Sequence, residues 1–155
     1  MFAGIVEKLG WGSAAVLKSG LARLSGHADA LLGGVTCGAS IAVNGVSLTG
    51  VQNAIDGVTV DVRPETLRGS SLGALQVGSA GATANLQRAV SATGRVGGYV
   101  GPGLVDAVGT VRSREPGPRW DVVCIGLPRE LARYVVVQDS IAVDDPSPAD
   151  INHTE

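Results

Sequence analysis

Apolar and polar positions alternate in short runs along most of this chain. In GVTVDV (57–62) Val58, Val60 and Val62 share one face while Thr59 and Asp61 take the other, the period of two of a half-buried β-strand. SIAVNGVSLTG (40–50) places Ile41 and Val43 on one face, breaks at Asn44-Gly45 and returns through Val46 and Leu48. Asn-Gly between β-branched runs predicts a two-residue type I′ hairpin, because both turn residues need φ > 0. ATANLQRAV (82–90) and WDVVCIGL (120–127) predict two more strands, the latter half-buried, and GIVEK (4–8) and LVDAVGTV (104–111) read as short β-rich segments. Helical turns are brief. Pro64 opens one at RPETL (63–67), and LPRELARYV (127–135) predicts a short helix, with Pro128 in its first turn and Glu130 favouring the positive dipole end. ADALL (28–32) is its counterpart earlier in the chain.

The segments come round twice. Gly4-Ile5-Val6-Glu7 is matched by Gly103-Leu104-Val105-Asp106, and residues 27–43 align with 127–143, setting Leu31 opposite Leu131, Val35 opposite Val135 and Ser40 opposite Ser140. A spacing held at 99 to 100 through these landmarks reads as two copies of one unit. The predicted fold is all-β: a duplicated six-stranded antiparallel Greek-key barrel with short helical turns, its second barrel incomplete. Residues 1–96 form the complete barrel and 97–155 the truncated repeat. After Val143 the chain reads DDPSPADINHTE, with two prolines and four acids, so a disordered tail is expected from about residue 145.

Composition narrows the function classes. With 23 Gly, 7 Pro and 3% aromatic residues, the chain suits many strands joined by tight turns. A net charge of −2 gives no electrostatic footprint for nucleic acid. Arg112, Arg114 and Arg119 gather only at what reads as a solvated hairpin tip. No apolar run approaches the roughly 20 residues of a membrane span, and Glu7 and Lys8 interrupt the stretch where a signal peptide needs an apolar core. Cys37 and Cys124, far apart and outside any CxxC, read as reduced thiols, which places the protein in the cytoplasm. His27 and His153 have no metal-compatible companions, so no metal site is expected.

The motifs together resemble the two-barrel, lumazine-binding family of riboflavin synthase. The likeness is carried by Met1 to Glu7, by Ser40 to Thr49, by Asp61-Val62-Arg63-Pro64-Glu65-Thr66-Leu67-Arg68, by Asn85-Leu86-Gln87-Arg88-Ala89, by Gly97-Gly98, and by Gly103-Leu104-Val105-Asp106 with Gly109-Thr110-Val111. It runs through Val143 and marks a divergent, C-terminally shortened member. The resemblance implies a dismutation in which two 6,7-dimethyl-8-ribityllumazine molecules, one per barrel, meet where barrels of neighbouring subunits touch. A four-carbon unit passes between them to give riboflavin, with no metal or redox cofactor required. The planar rings must be stacked in near-attack geometry and a polar group must help remove a proton. Carried over by position, the ligand-binding residues are Gly4, Ile5, Val6, Ser47, Leu48, Thr49, Asp61, Val62, Glu65, Thr66, Tyr99 and Leu104, with Ser47 and Ser40 as candidate catalytic groups.

Departures from the family pattern cluster where that chemistry belongs. Ser47 stands where the family usually has Cys, and a hydroxyl is a weaker nucleophile at neutral pH. Tyr99 and Leu104 replace His, and Ala39 stands where Asp is typical. The expected function is therefore binding of a lumazine, a flavin such as riboflavin, or a similar planar molecule in the first barrel, without synthase activity. Two alternatives remain. One is a repurposed cyclisation enzyme of specialised metabolism that uses the barrel pocket, the other an active riboflavin synthase; if the protein is an enzyme, it is a synthase-like transferase or such a cyclase. Unpaired edges in the second unit predict a homodimer or larger homo-oligomer.

Overall fold

The computed structural model describes residues 1–16, 20–27, 35–54, 57–75, 83–94, 96 and 99–147. Strands β1 (Lys8–Val16), β2 (Ala22–His27), β3 (Ser40–Val43), β4 (Val46–Ala54), β5 (Gly57–Val62) and β6 (Thr83–Arg88) close into an antiparallel barrel in the order β1-β2-β5-β4-β3-β6. Closure leaves no free edge in this unit. A single-turn helix, α1 (Pro64–Arg68), and a 3-10 turn (Ser71–Leu75) plug one end through Leu67 and Leu72.

The alternation read from the sequence fills the barrel. Val58, Val60 and Val62 of β5 point inward with Leu24 of β2, Ile41 and Val43 of β3, Val46 and Leu48 of β4 and Leu86 of β6. Each such side chain contributes about 1.5–3 kcal/mol by leaving water. Asn44 and Gly45 turn β3 into β4 with φ of 48° and 75°, and Val43 pairs with Val46 across them. That is the type I′ geometry Asn-Gly predicts.

Four expectations are corrected in detail. The first strand begins only at Lys8, the last residue of the 4–8 segment, because Gly4 takes φ 65° and residues 4–7 run outside the barrel. The stretch 104–109 likewise forms no strand, and β7 (Thr110–Pro116) pairs only with β8 (Asp121–Gly126), as a separate two-stranded sheet. Strand β8 was expected to be half-buried, yet Val122 is 58% and Val123 47% exposed. Alternation marks one face for burial, and among the described residues no second layer packs on that face. The segment expected to be helical at 127–135 is a 3-10 turn over Arg129–Tyr134; its counterpart at 28–32 lies outside the described residues.

The two halves meet through reciprocal contacts. Phe2 and Gly101 exchange backbone hydrogen bonds of 2.8 Å in both directions. The Ser47 amide donates to the Gly103 carbonyl at 2.8 Å, and the Ser147 amide donates to the Gly4 carbonyl at 3.2 Å. Gly4 and Gly103 share positive φ, of 65° and 75°, and the Asn44-Gly45 turn is echoed by Asp144 and Asp145 at 49° and 92°. Residues 144–147, read from sequence as the start of a tail, therefore lie against the first barrel.

Candidate functional site

Inward and outward positions divide the candidate residues before any chemistry is considered. Leu48 and Val62 are buried in the barrel core, so only their main chains can meet a ligand outside it. Ser40 pairs with Thr49, and Ser47 with Ala42, on the outer face of β3 and β4. Asp61 lies on the outer face of β5, clamped by Arg23 of β2 through a two-pronged ion pair of 2.8 and 3.0 Å. That hydrogen bond from the guanidinium holds the Asp61 carboxyl below the ordinary carboxylate range. Ser25 and Thr59 continue the polar face at 3.3 Å. Glu65 is exposed and ion-paired with Arg68 on α1, while the Thr66 carbonyl accepts the Ser70 hydroxyl at 2.5 Å.

The other candidates gather at the junction of the halves. Gly4, Tyr99 and Leu104 line a cavity of about 40 Å³, with walls from Phe2, Gly45, Pro102, Ala142 and Asp145. Ile5 is 62% and Leu104 78% exposed, and Val6 is half-buried. Gly103 binds the two groups of candidates together. A Cβ there would fall 2.7 Å from the Ser47 Cβ and 2.8 Å from the Phe2 ring, so the linker presses against the outer face of β4 only because this residue has no side chain. Ala42, Gln87 and Phe2 are all buried outside the main apolar cluster of the barrel.

Several functional-looking groups escaped the sequence reading. Asp145 is 3% exposed, and its Oδ2 has no hydrogen-bond partner among the described residues; the same holds for Gln87 Oε1. Burial first, then the Glu7 charge, pushes the Asp145 carboxyl up to about 6. Beside it Asn44 Nδ2 donates to Ser71 Oγ at 3.4 Å, Ser71 Oγ donates to Asp144 Oδ1 at 2.7 Å, and Asn85 Nδ2 donates to the Asp144 carbonyl at 2.7 Å. The signal that could have exposed Asp145 is the hundred-residue offset read from the sequence, which sets this carboxyl opposite Gly45.

Polar outer strands beside an apolar cleft can hold a flat heteroaromatic ring: main-chain groups read its edge and hydroxyls take its polar substituents. Nucleophilic work is poorly provided for. Among the described residues no His, Asp or Glu is hydrogen-bonded to Ser47 or Ser40 Oγ, and no three His, Cys, Asp or Glu side chains cluster as metal ligands. No helix of the described residues is long and apolar enough to cross a membrane.

Residues 3–89, which span the whole closed barrel, match the model of the lumazine binding domain. Riboflavin synthase of Mycobacterium tuberculosis is 43% identical over 145 residues, covering 93% of this chain and 71% of the relative. The chain belongs to the riboflavin synthase, lumazine-binding family. Within the family, riboflavin synthase of Bacillus amyloliquefaciens is 39% identical over 93% of this chain and 66% of its own length. The chain thus spans roughly two thirds of these relatives. The family fold is also that of LumP complexed with 6,7-dimethyl-8-(1'-D-ribityl) lumazine, matched at a TM-score of 0.79 and 24% identity over 98% of this chain and 81% of that one. LumP complexed with riboflavin gives a TM-score of 0.78 at the same identity.

Proposed function

We propose that this protein binds a lumazine, a flavin or a similar planar molecule on the outer face of its first barrel and does not carry out the riboflavin synthase dismutation. The closed barrel coinciding with the lumazine-binding match at residues 3–89 carries the reading. The ligand is held by the main chain of residues 4–6 and 47–49, with Thr49, Thr66, Asp61 and Glu65 taking its hydroxyls and Tyr99 and Leu104 closing one side. The two halves are copies of one unit, as the contacts at Phe2 and Gly101 and at Gly4 and Gly103 suggest.

Loss of dismutation is supported by Ser47 and Ser40, which have no hydrogen-bonded base among the described residues, and by Leu104, which can relay no proton. Titration with riboflavin and with the ribityllumazine, read by ligand fluorescence, tests the binding; saturation at micromolar ligand is expected, and no binding at millimolar ligand overturns it. Single-turnover mixing with the ribityllumazine tests the second clause, and any riboflavin formed refutes it. The apolar residues Pro102 and Leu104 favour, as the second reading, a cyclisation enzyme of specialised metabolism that uses the barrel pocket.

A homo-oligomer belongs to the same proposal. Trp120, Val122 and Val111 are 70%, 58% and 62% exposed on the β7–β8 hairpin, apolar surface that a second copy of this chain would cover. A monomeric mass at micromolar concentration would count against it.

A further inference from the structure

The turn at residues 144–147 is held on the first barrel by an unusual choice of residue. Where the first copy uses Gly45 to adopt positive φ, the second uses Asp145 at φ 92°, a conformation that disfavours a side chain. Its carboxyl is driven inward and is 3% exposed, with Oδ2 unpartnered, and it lines the cavity shared with Gly4, Tyr99 and Gly45. The fit is close: a Cβ on Gly45 would fall 3.0 Å from the Asp145 amide nitrogen. A buried carboxyl without a donor is tolerable when neutral and strongly disfavoured when charged.

We propose that residues 144–147 form a proton-operated latch in which the neutral Asp145 carboxyl lets the turn seat on the first barrel, and its ionisation loosens the turn and opens the junction cavity. Burial and the neighbouring Glu7 charge both push in this direction. Glu7, from the segment before β1, is the acid whose charge opposes ionisation of Asp145, and its own carboxylate is bound by Arg88 of β6 at 2.8 Å. Asp144, the next acid in the turn, is turned away to Ser71, and Tyr99 supplies only a hydroxyl. No hydrogen-bond donor reaches Oδ2 among the described residues.

The direction of the pH effect follows. The seated carboxyl keeps its proton to about pH 6, whereas a released one loses it at 3.8. Seating is therefore full below about 3.8, weakens through the interval up to 6, and stays weak above it, by about a hundredfold in the seating equilibrium. The Asp144 hydrogen bonds to Ser71 and Asn85 act as a hinge that keeps the turn near its dock.

This inference is independent of what the protein binds. The test is an NMR titration of the Asp145 carboxyl carbon from pH 3 to 8, with amide exchange at Ser147, which donates to Gly4, corrected for the intrinsic pH dependence of exchange. The expected result is a midpoint near 6 and a loss of Ser147 protection through the same interval. Asp145→Asn, isosteric and uncharged, and Asp145→Gly, which restores the residue of the first copy, should each hold Ser147 protection level across the range. A midpoint near 3.8, or the same pH-dependent loss in Asp145→Gly, overturns the latch. Should Asp145→Asn fail to seat the turn, the glycine variant and the carboxyl midpoint still decide.

Discussion

Replacing Gly103 by alanine probes the seam between the halves, and Gly20 supplies the control. Both glycines have positive φ, 75° and 80°, so an alanine at either carries the left-handed penalty of about 1–2 kcal/mol. They differ in surroundings. Among the described residues nothing lies within 4 Å of a Cβ on Gly20, whereas a Cβ on Gly103 meets the Ser47 Cβ at 2.7 Å and Phe2 ring carbons at 2.8 and 3.0 Å. Neither neighbour can swing aside: Phe2 is 3% exposed and tied to Gly101 by two backbone bonds, and Ser47 is fixed in β4. Overpacking of this kind adds about 1–3 kcal/mol, so Gly103→Ala should lose about 2–5 kcal/mol against about 1–2 for Gly20→Ala. Urea denaturation followed by circular dichroism measures both, and amide exchange at Ser47 reports whether its bond to the Gly103 carbonyl is broken. Equal losses in the two variants would refute the close packing of linker on barrel.

Other outcomes follow from single contacts. Val60→Ala, at a position 2% exposed in the barrel core, should destabilise by about 2–3 kcal/mol in the same urea assay. Arg23→Gln should let the Asp61 carboxyl rise toward its ordinary range in a carbon NMR titration. Because the native Asp61 pKa is depressed, its contribution to stability is present above 3.8 and fades as pH falls through the lower native value; in Arg23→Gln this acid-side loss should disappear. Thr49→Val, exposed on the outer face of β4, should leave the unfolding free energy within about 0.5 kcal/mol of the parent while weakening riboflavin or lumazine binding about tenfold, read by fluorescence.

Local rules carried the reading of the first barrel. Asn44-Gly45, the valines of β5 and Pro64 each act over a few residues, and each appears where its chemistry requires. The second half was less legible because burial of a strand depends on what packs against it: the same alternation that buries Val58 and Val60 leaves Val122 and Val123 in solvent. Long-range pairings were hidden for a related reason. Arg23 and Asp61 are 38 positions apart and meet only because β2 adjoins β5 in the barrel. Asp145 was obscured by its neighbours: prolines and acids around it read as tail, although main-chain contacts to Gly4 and side-chain contacts to Ser71 and Asn85 seat this stretch.

The bridge from Phe2 to Gly101 also bears on synthesis at the ribosome. The barrel strands are complete once residue 88 has emerged, so its apolar interior can close early. The segment around Phe2, however, waits for a partner that is translated about a hundred codons later. Until then the Phe2 ring lacks the backbone partner that helps hold it at 3% exposure, and the arrival of Gly101 withdraws it from solvent.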